Sequence, residues 1–221
     1  MCSRLALLLF AAAVPWAATA SAALTWETKA IRQTAVLGAR EVVADFPFKN
    51  TGTSPITIHD IRTDCECTVA ELVKRTYAPG ESGAIRTVLT VGQRTGLQEH
   101  TINVLTNDPD AAEVDLSLDI EIPAVLTFSV RMLYWKVGGV AGEQAVEVAP
   151  THGRKIARLE MRGSRPEKAA RARITDVQPG EKYRLLIEPV ETKTPRIIPV
   201  EFRAIFSDGL QHDFTIHALV R

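Results

Sequence analysis

The stretch "RTDCECTVA", residues 62–70, sets two cysteines one residue apart, with an acid before them and an acid between them. Four chemistries fit Cys65 and Cys67: a structural bridge, a metal clip, a redox pair, or two inert thiols at a strand edge. A bridge would close a loop of three residues, and chain entropy would then stabilise the fold by only roughly 1.6 kcal/mol. In an extended chain, Cα atoms two residues apart also sit near the upper limit for an unstrained disulfide. As a clip, an extended 65–67 would turn both sulfurs to one face, and two thiolates suit a soft ion such as Cu(I). His59, on the preceding strand, would add a nitrogen ligand. Zinc wants four ligands and would need some of His59, His100, Asp64 and Glu66 to converge. All four readings stay open on sequence alone.

A second chemistry-bearing run is "RKIARLEMRGSRPEKAARAR", residues 154–173, with 8 basic and 2 acidic residues. Arg154, Lys155, Arg158, Arg162, Arg165, Lys168, Arg171 and Arg173 would form a cationic patch for an anionic envelope polymer, a lipid surface or an acidic protein. The bases are interleaved with Ala rather than with aromatics, which argues against stacking on nucleic acid. "NDPDAAE" gathers Asn107, Asp108, Asp110 and Glu113, oxygen ligands for a hard cation, though Asn-Asp-Pro is also what a strand-ending turn wants. No G-x-S-x-G, H-E-x-x-H or P-loop occurs in the sequence. The expectation is therefore a non-enzymatic protein with no obligatory cofactor, Cu(I) being the one candidate.

The compartment is read from the start of the chain. "MCSR", the apolar "LALLLFAAAV" and the small residues of "ATASA" form a secretory signal peptide over residues 1–22, with cleavage after Ala22. Cys2 leaves with it, so the remaining pair would work in an oxidising space, periplasmic or secreted. No further apolar run has membrane length, which predicts no transmembrane segment. Residues 23–123 hold 9 basic and 15 acidic residues and residues 124–221 hold 16 and 11, so an acidic half precedes a basic one. The near-neutral total excludes a general affinity for nucleic acid.

The elements that must position these residues read as strands. In "VDLSLDIEI" the alternate residues from Val114 to Ile122 are apolar and the others are Asp, Ser or Glu. Val42, Ala44, Phe46 and Phe48 share one phase, as do Ile198, Val200, Phe202, Ala204 and Phe206, and Phe214, Ile216, Ala218 and Val220. "VAELVKR" and "RPEKAARAR" have too little apolar surface or capping for more than a turn or two of helix. Short strands punctuated by "APGESG", "QPGEK" and "SDG" predict an all-β chain of two tandem immunoglobulin-like antiparallel β-sandwiches, 23–123 and 124–221, joined near Pro123.

"FPFKNTGTSPITI", "DCECT", "APGESGAI" and "LTNDP" follow one another in that order. The set resembles a bacterial immunoglobulin-like family of unknown function whose hallmarks are F-x-F-x-N-x-G, C-G-C-T, P-G-x-x-G and T-N-D. It is more distantly similar to Hydin/ASPM-type and major-sperm-protein-like sandwiches. The resemblance covers about residues 24–123, with Glu66 where the family's motif has Gly. It implies an envelope protein with a binding or structural role. The leading expectation is thus an exported structural or protein-interaction module that uses sheet edges, loops and the basic patch. Two others are a periplasmic copper or thiol-redox protein working through Cys65 and Cys67, and a chaperone of the pilus type.

Overall fold

The computed structural model describes residues 23–221; the expected signal peptide lies outside them. In the first half the strands are β1 (Leu24–Trp26), β2 (Ala30–Thr34), β3 (Glu41–Asn50), β4 (Ile56–Thr63), β5 (Thr68–Leu72), β6 (Thr76–Tyr77), β7 (Ser82–Thr90), β8 (Gly96–Thr106) and β9 (Glu113–Ile122). The second half holds β10 (Leu126–Phe128), β11 (Met132–Trp135), β12 (Gln144–Pro150), β13 (Ile156–Ser164), β14 (Ala170–Gln178), β15 (Lys182–Pro189), β16 (Arg196–Phe206) and β17 (Gln211–Val220). No helix occurs among the described residues, and both weighed stretches enter strands, β5 and β14.

Alternation explains the layers. Along β9, Val114, Leu116, Leu118, Ile120 and Ile122 are buried while Asp115, Ser117 and Glu121 face water. The strands form two sheets in the first half, β1-β3-β7-β5 and β2-β9-β8-β4-β6. Phe46, Phe48, Ile85 and Leu89 of the one meet Ile58, Ile102, Leu116 and Leu118 of the other in a single core. The second half has the sheets β10-β12-β15-β14 and β11-β17-β16-β13 around Val146, Leu185, Phe202, Phe214 and Ile216. Ile122 belongs to the first core and Val125 to the second.

Pairing is antiparallel apart from one parallel neighbour in each half, β2 on β9 and β11 on β17. The two halves therefore share one wiring. If β10 is matched to β1, β11 to β2, β13 to β4, β14 to β5 and β17 to β9, the sheet orders coincide but for the extra strand β6. The β4–β5 connection and the β13–β14 connection are then equivalent, so the cysteine turn and the basic run occupy the same place in the two sandwiches.

The halves also touch. Leu37 packs against the second core, and a Cβ on Gly38 would stand 2.8 Å from Leu210, at a φ of +79° that glycine alone adopts freely. Gln93 Nε2 donates to Thr215 Oγ1 at 3.1 Å. Between them lies a cleft of about 540 Å³ lined by Arg40, Gln93, Arg203, His212 and Asp213.

Candidate functional site

Cys65 and Cys67 sit in the turn between β4 and β5, where Thr68 N donates to Cys65 O at 3.1 Å. The turn, rather than an extended segment, brings their Cα atoms to 5.2 Å, inside the range a disulfide spans, and the sulfurs are bonded. Among the described non-glycine residues only His152 and Lys168 have positive φ, so Glu66 sits between the cysteines with an ordinary backbone. Thr63 Oγ1 lies 3.2 Å from Cys65 O and 3.0 Å from Thr68 O, tying the end of β4 to the start of β5.

The nitrogen beside this pair is not that of His59. His59 is exposed on β4, six residues before Cys65, which is roughly 20 Å along a strand. His100, on β8, replaces it: one of its ring nitrogens and both sulfurs lie within 4.8 Å of one another. Register explains the encounter. β8 pairs with β4 through Ile102 opposite Thr63, and Asp64 N continues the ladder to Thr101 O. Asp64 then accepts from His100 Nδ1 at 3.2 Å and from Thr101 N at 2.9 Å. Arg94 Nη2 stands 4.0 Å from Cys65 Sγ. The turn thus collects two sulfurs, an imidazole oriented by a carboxylate, and a guanidinium. Of these the sequence reading weighed Asp64 and His100 for zinc alone and missed Arg94.

The other residues of the motif-like stretches are architectural. Asn50 is fully buried; its Nδ2 donates to Ser54 O and Tyr77 O, both at 2.9 Å, and its Oδ1 accepts from Gly52 N at 3.0 Å. Phe48 packs edge-on to Tyr77, and Gly83 lies against both, a Cβ there falling 2.7 Å from Phe48 and 2.5 Å from Tyr77. In the turn after β8, Asn107 Oδ1 accepts from Thr57 N, and the buried Asp108 accepts from Asp110 N and Leu24 N. Glu113 accepts from Asn103. These oxygens close turns and strands instead of converging on a cation: the one metal-competent group among the described residues is Cys65, Cys67 and His100.

The basic run lies on β13, β14 and the turn between them, but it is not a bare cationic patch. Seven of its eight bases meet carboxylates: Arg154 with Asp208, Lys155 with Glu181, Arg158 and Arg162 with Glu160, Arg165 with Glu201, Arg171 with Glu188, and Arg173 with Glu143. Lys168 alone has no ion pair among the described residues. β13 and β14 end their sheets, so these charges also guard two long edges against adventitious pairing.

The sequence reading missed one surface. On the outer face of the β11-β17-β16-β13 sheet, Tyr134 stands beside Leu219 and Leu219 beside Ile197. The next row is Met132, His217 and Pro199. Tyr134 is 47% and Ile197 58% exposed. Further along the same face, Thr215 receives the hydrogen bond from Gln93 of the first half, so the apolar rows run out from the cleft. The signal was present as Val130, Met132 and Tyr134 in one phase, opposite the buried Leu133 and Trp135.

Residues 24–122 match a family described as "Protein of unknown function (DUF1573)". No curated protein matches the chain. Among solved structures the chain is similar to a protein of unknown function from Porphyromonas gingivalis W83, at 14% identity and TM-score 0.35, over 89% of this chain and 99% of that one. It is similar to the E. coli chaperone DraB, at 14% identity and TM-score 0.36, over 88% of this chain and 97% of that one. The ASH/PapD-like domain of human CEP192 is similar at 10% identity and TM-score 0.39, over 54% of this chain and 99% of that one.

Proposed function

We propose that this chain is an exported, non-enzymatic interaction module of the cell envelope that holds a protein partner on the outer face of β11, β17 and β16. The apolar row Tyr134–Leu219–Ile197, with Met132 and Pro199 flanking His217 in the next row, carries this reading. Contiguous exposed apolar surface on a soluble domain marks an interaction site, whereas scattered single residues do not. Towards the cleft the face turns polar through Thr215, Glu201, Arg203 and Asp213, giving a partner an apolar anchor and a hydrogen-bonding margin. Export rests on residues 1–22, which carry the basic, apolar and small-residue segments of a signal peptide.

Photo-crosslinking in intact cells tests the reading. A photoreactive residue at Ile197 is expected to capture a protein, and one at Lys168, on the edge turn, is not. Met132→Lys with Tyr134→Lys removes the adduct without lowering stability by more than about 0.5 kcal/mol, since both side chains are exposed. Capture that survives the double variant, or adducts with lipid only, would sink the proposal. Salt separates it from the basic run: apolar capture persists from about 0.05 M to about 0.5 M salt, whereas capture by exposed bases fades over that range.

A further inference from the structure

Two independent observations meet at the β4–β5 turn. Cys65 Sγ, Cys67 Sγ and a His100 nitrogen lie within 4.8 Å of one another. His100 is also only 9% exposed, and its Nε2 is buried with no hydrogen-bond partner among the described residues. A buried polar atom left unpaired costs about as much as a lost hydrogen bond, so a ligand that paired with Nε2 would remove that cost. Asp64 orients the neutral ring. A carboxylate only accepts, so His100 Nδ1 carries the proton towards Asp64 and Nε2 presents a lone pair.

We propose that the reduced Cys65–Cys67 pair and His100 form a two-sulfur, one-nitrogen site for Cu(I), and that the disulfide closes this site. The proposal stands apart from the apolar face, which belongs to the other half of the chain. Two thiolates and a neutral imidazole match a soft monovalent cation in threefold coordination. Zinc would take a fourth ligand, and no other His, Cys, Asp or Glu joins the group among the described residues. Two thiolates, Cu(I) and a neutral ring sum to one negative charge, which the Arg94 guanidinium, 4.0 Å from Cys65 Sγ, offsets. Opening the site takes a dithiol reductant. Two electrons pass to the Cys65–Cys67 bond, which breaks; the reductant closes its own disulfide, and its two protons end on the cysteines. Cu(I) then displaces both protons to solvent and accepts the Nε2 lone pair, with no change of oxidation state.

The test is Cu(I) titration of the purified chain, reduced and anaerobic, against a chromophoric Cu(I) chelator, with X-ray absorption of the product. One Cu(I) per reduced chain and none per oxidised chain is expected, with two sulfur neighbours and one nitrogen neighbour. Asp64→Asn should weaken binding about tenfold, as loss of a partner that orients a ligand does. His59→Gln should leave binding unchanged, and Cys65→Ser with Cys67→Ser should abolish it. His100→Gln alters a buried residue, so the nitrogen assignment is read on the wild type, as a shift of the His100 Nε2 resonance when Ag(I) replaces Cu(I). Sulfur-only coordination, an unmoved His100 resonance, equal affinity in Asp64→Asn, or copper bound equally by oxidised protein would each overturn the proposal.

Discussion

Replacing Asn50 by Ala would strip the buried Tyr77 carbonyl, the half-buried Ser54 carbonyl and the half-buried Gly52 N–H of their partner in one step. Each unsatisfied buried group costs about 1–3 kcal/mol, so a loss of about 3 kcal/mol is expected by urea unfolding. The Cys65 and Cys67 bridge contrasts with this. It closes so short a loop that serine at both positions should cost no more than about 1.6 kcal/mol in the same assay. A larger loss would make the turn a structural staple. At this scale the sequence revealed residue types and not neighbours. The cysteines, Asn50 and Gly52 were legible as letters. The partner imidazole was not, because His100 reaches the turn through the register between β8 and β4, a contact across more than thirty positions of chain. β4 also carries a bulge between Ile58 and Asp60, which breaks the phase along that strand and which no alternation pattern announces.

Individual strands were far easier to read. Alternation in β3, β9, β16 and β17 named their buried residues outright, since one face of each lies on a core and the other in water. Leu118→Ala, at the centre of β9, should therefore cost about 3 kcal/mol in thermal or urea unfolding, while Glu121→Ala on the exposed face should stay within about 0.5 kcal/mol. Comparable losses at the two positions would contradict the layer assignment. Order within the sheets was hidden, because pairing depends on which edges meet and periodicity is silent about it. The parallel neighbours β2 and β11, the common wiring of the halves, and the equivalence of the cysteine turn to the basic turn all belong to that hidden level. Apart from Glu160 within the run, the carboxylates that meet it were hidden for the same reason, since Glu201 and Asp208 come from β16 and the turn after it.

Across the whole chain, His212 reports on the cleft between the halves. Burial, with the Arg131 charge adding to it, holds its imidazole below the ordinary 6.5, and Asp213 opposes this more weakly. The fold therefore favours the neutral ring, and the unfolded chain takes up a proton first as pH falls. Stability from this residue is complete above about pH 6.5 and is lost as pH drops through the folded pKa. Melting temperature should decline from about pH 7 to about pH 5, with a shallower slope in His212→Gln; identical slopes would remove His212 from the account.

The position of β17 bears on when this protein can fold at all. It is the last strand among the described residues, yet it lies between β11 and β16 and gives Phe214, Ile216, Ala218 and Val220 to the second core. A polypeptide delivered amino end first can seal its acidic sandwich early, but the basic one must wait with an open seam until Val220 arrives. Losing residues 214–220 would therefore leave a gap in the middle of a sheet rather than a frayed edge.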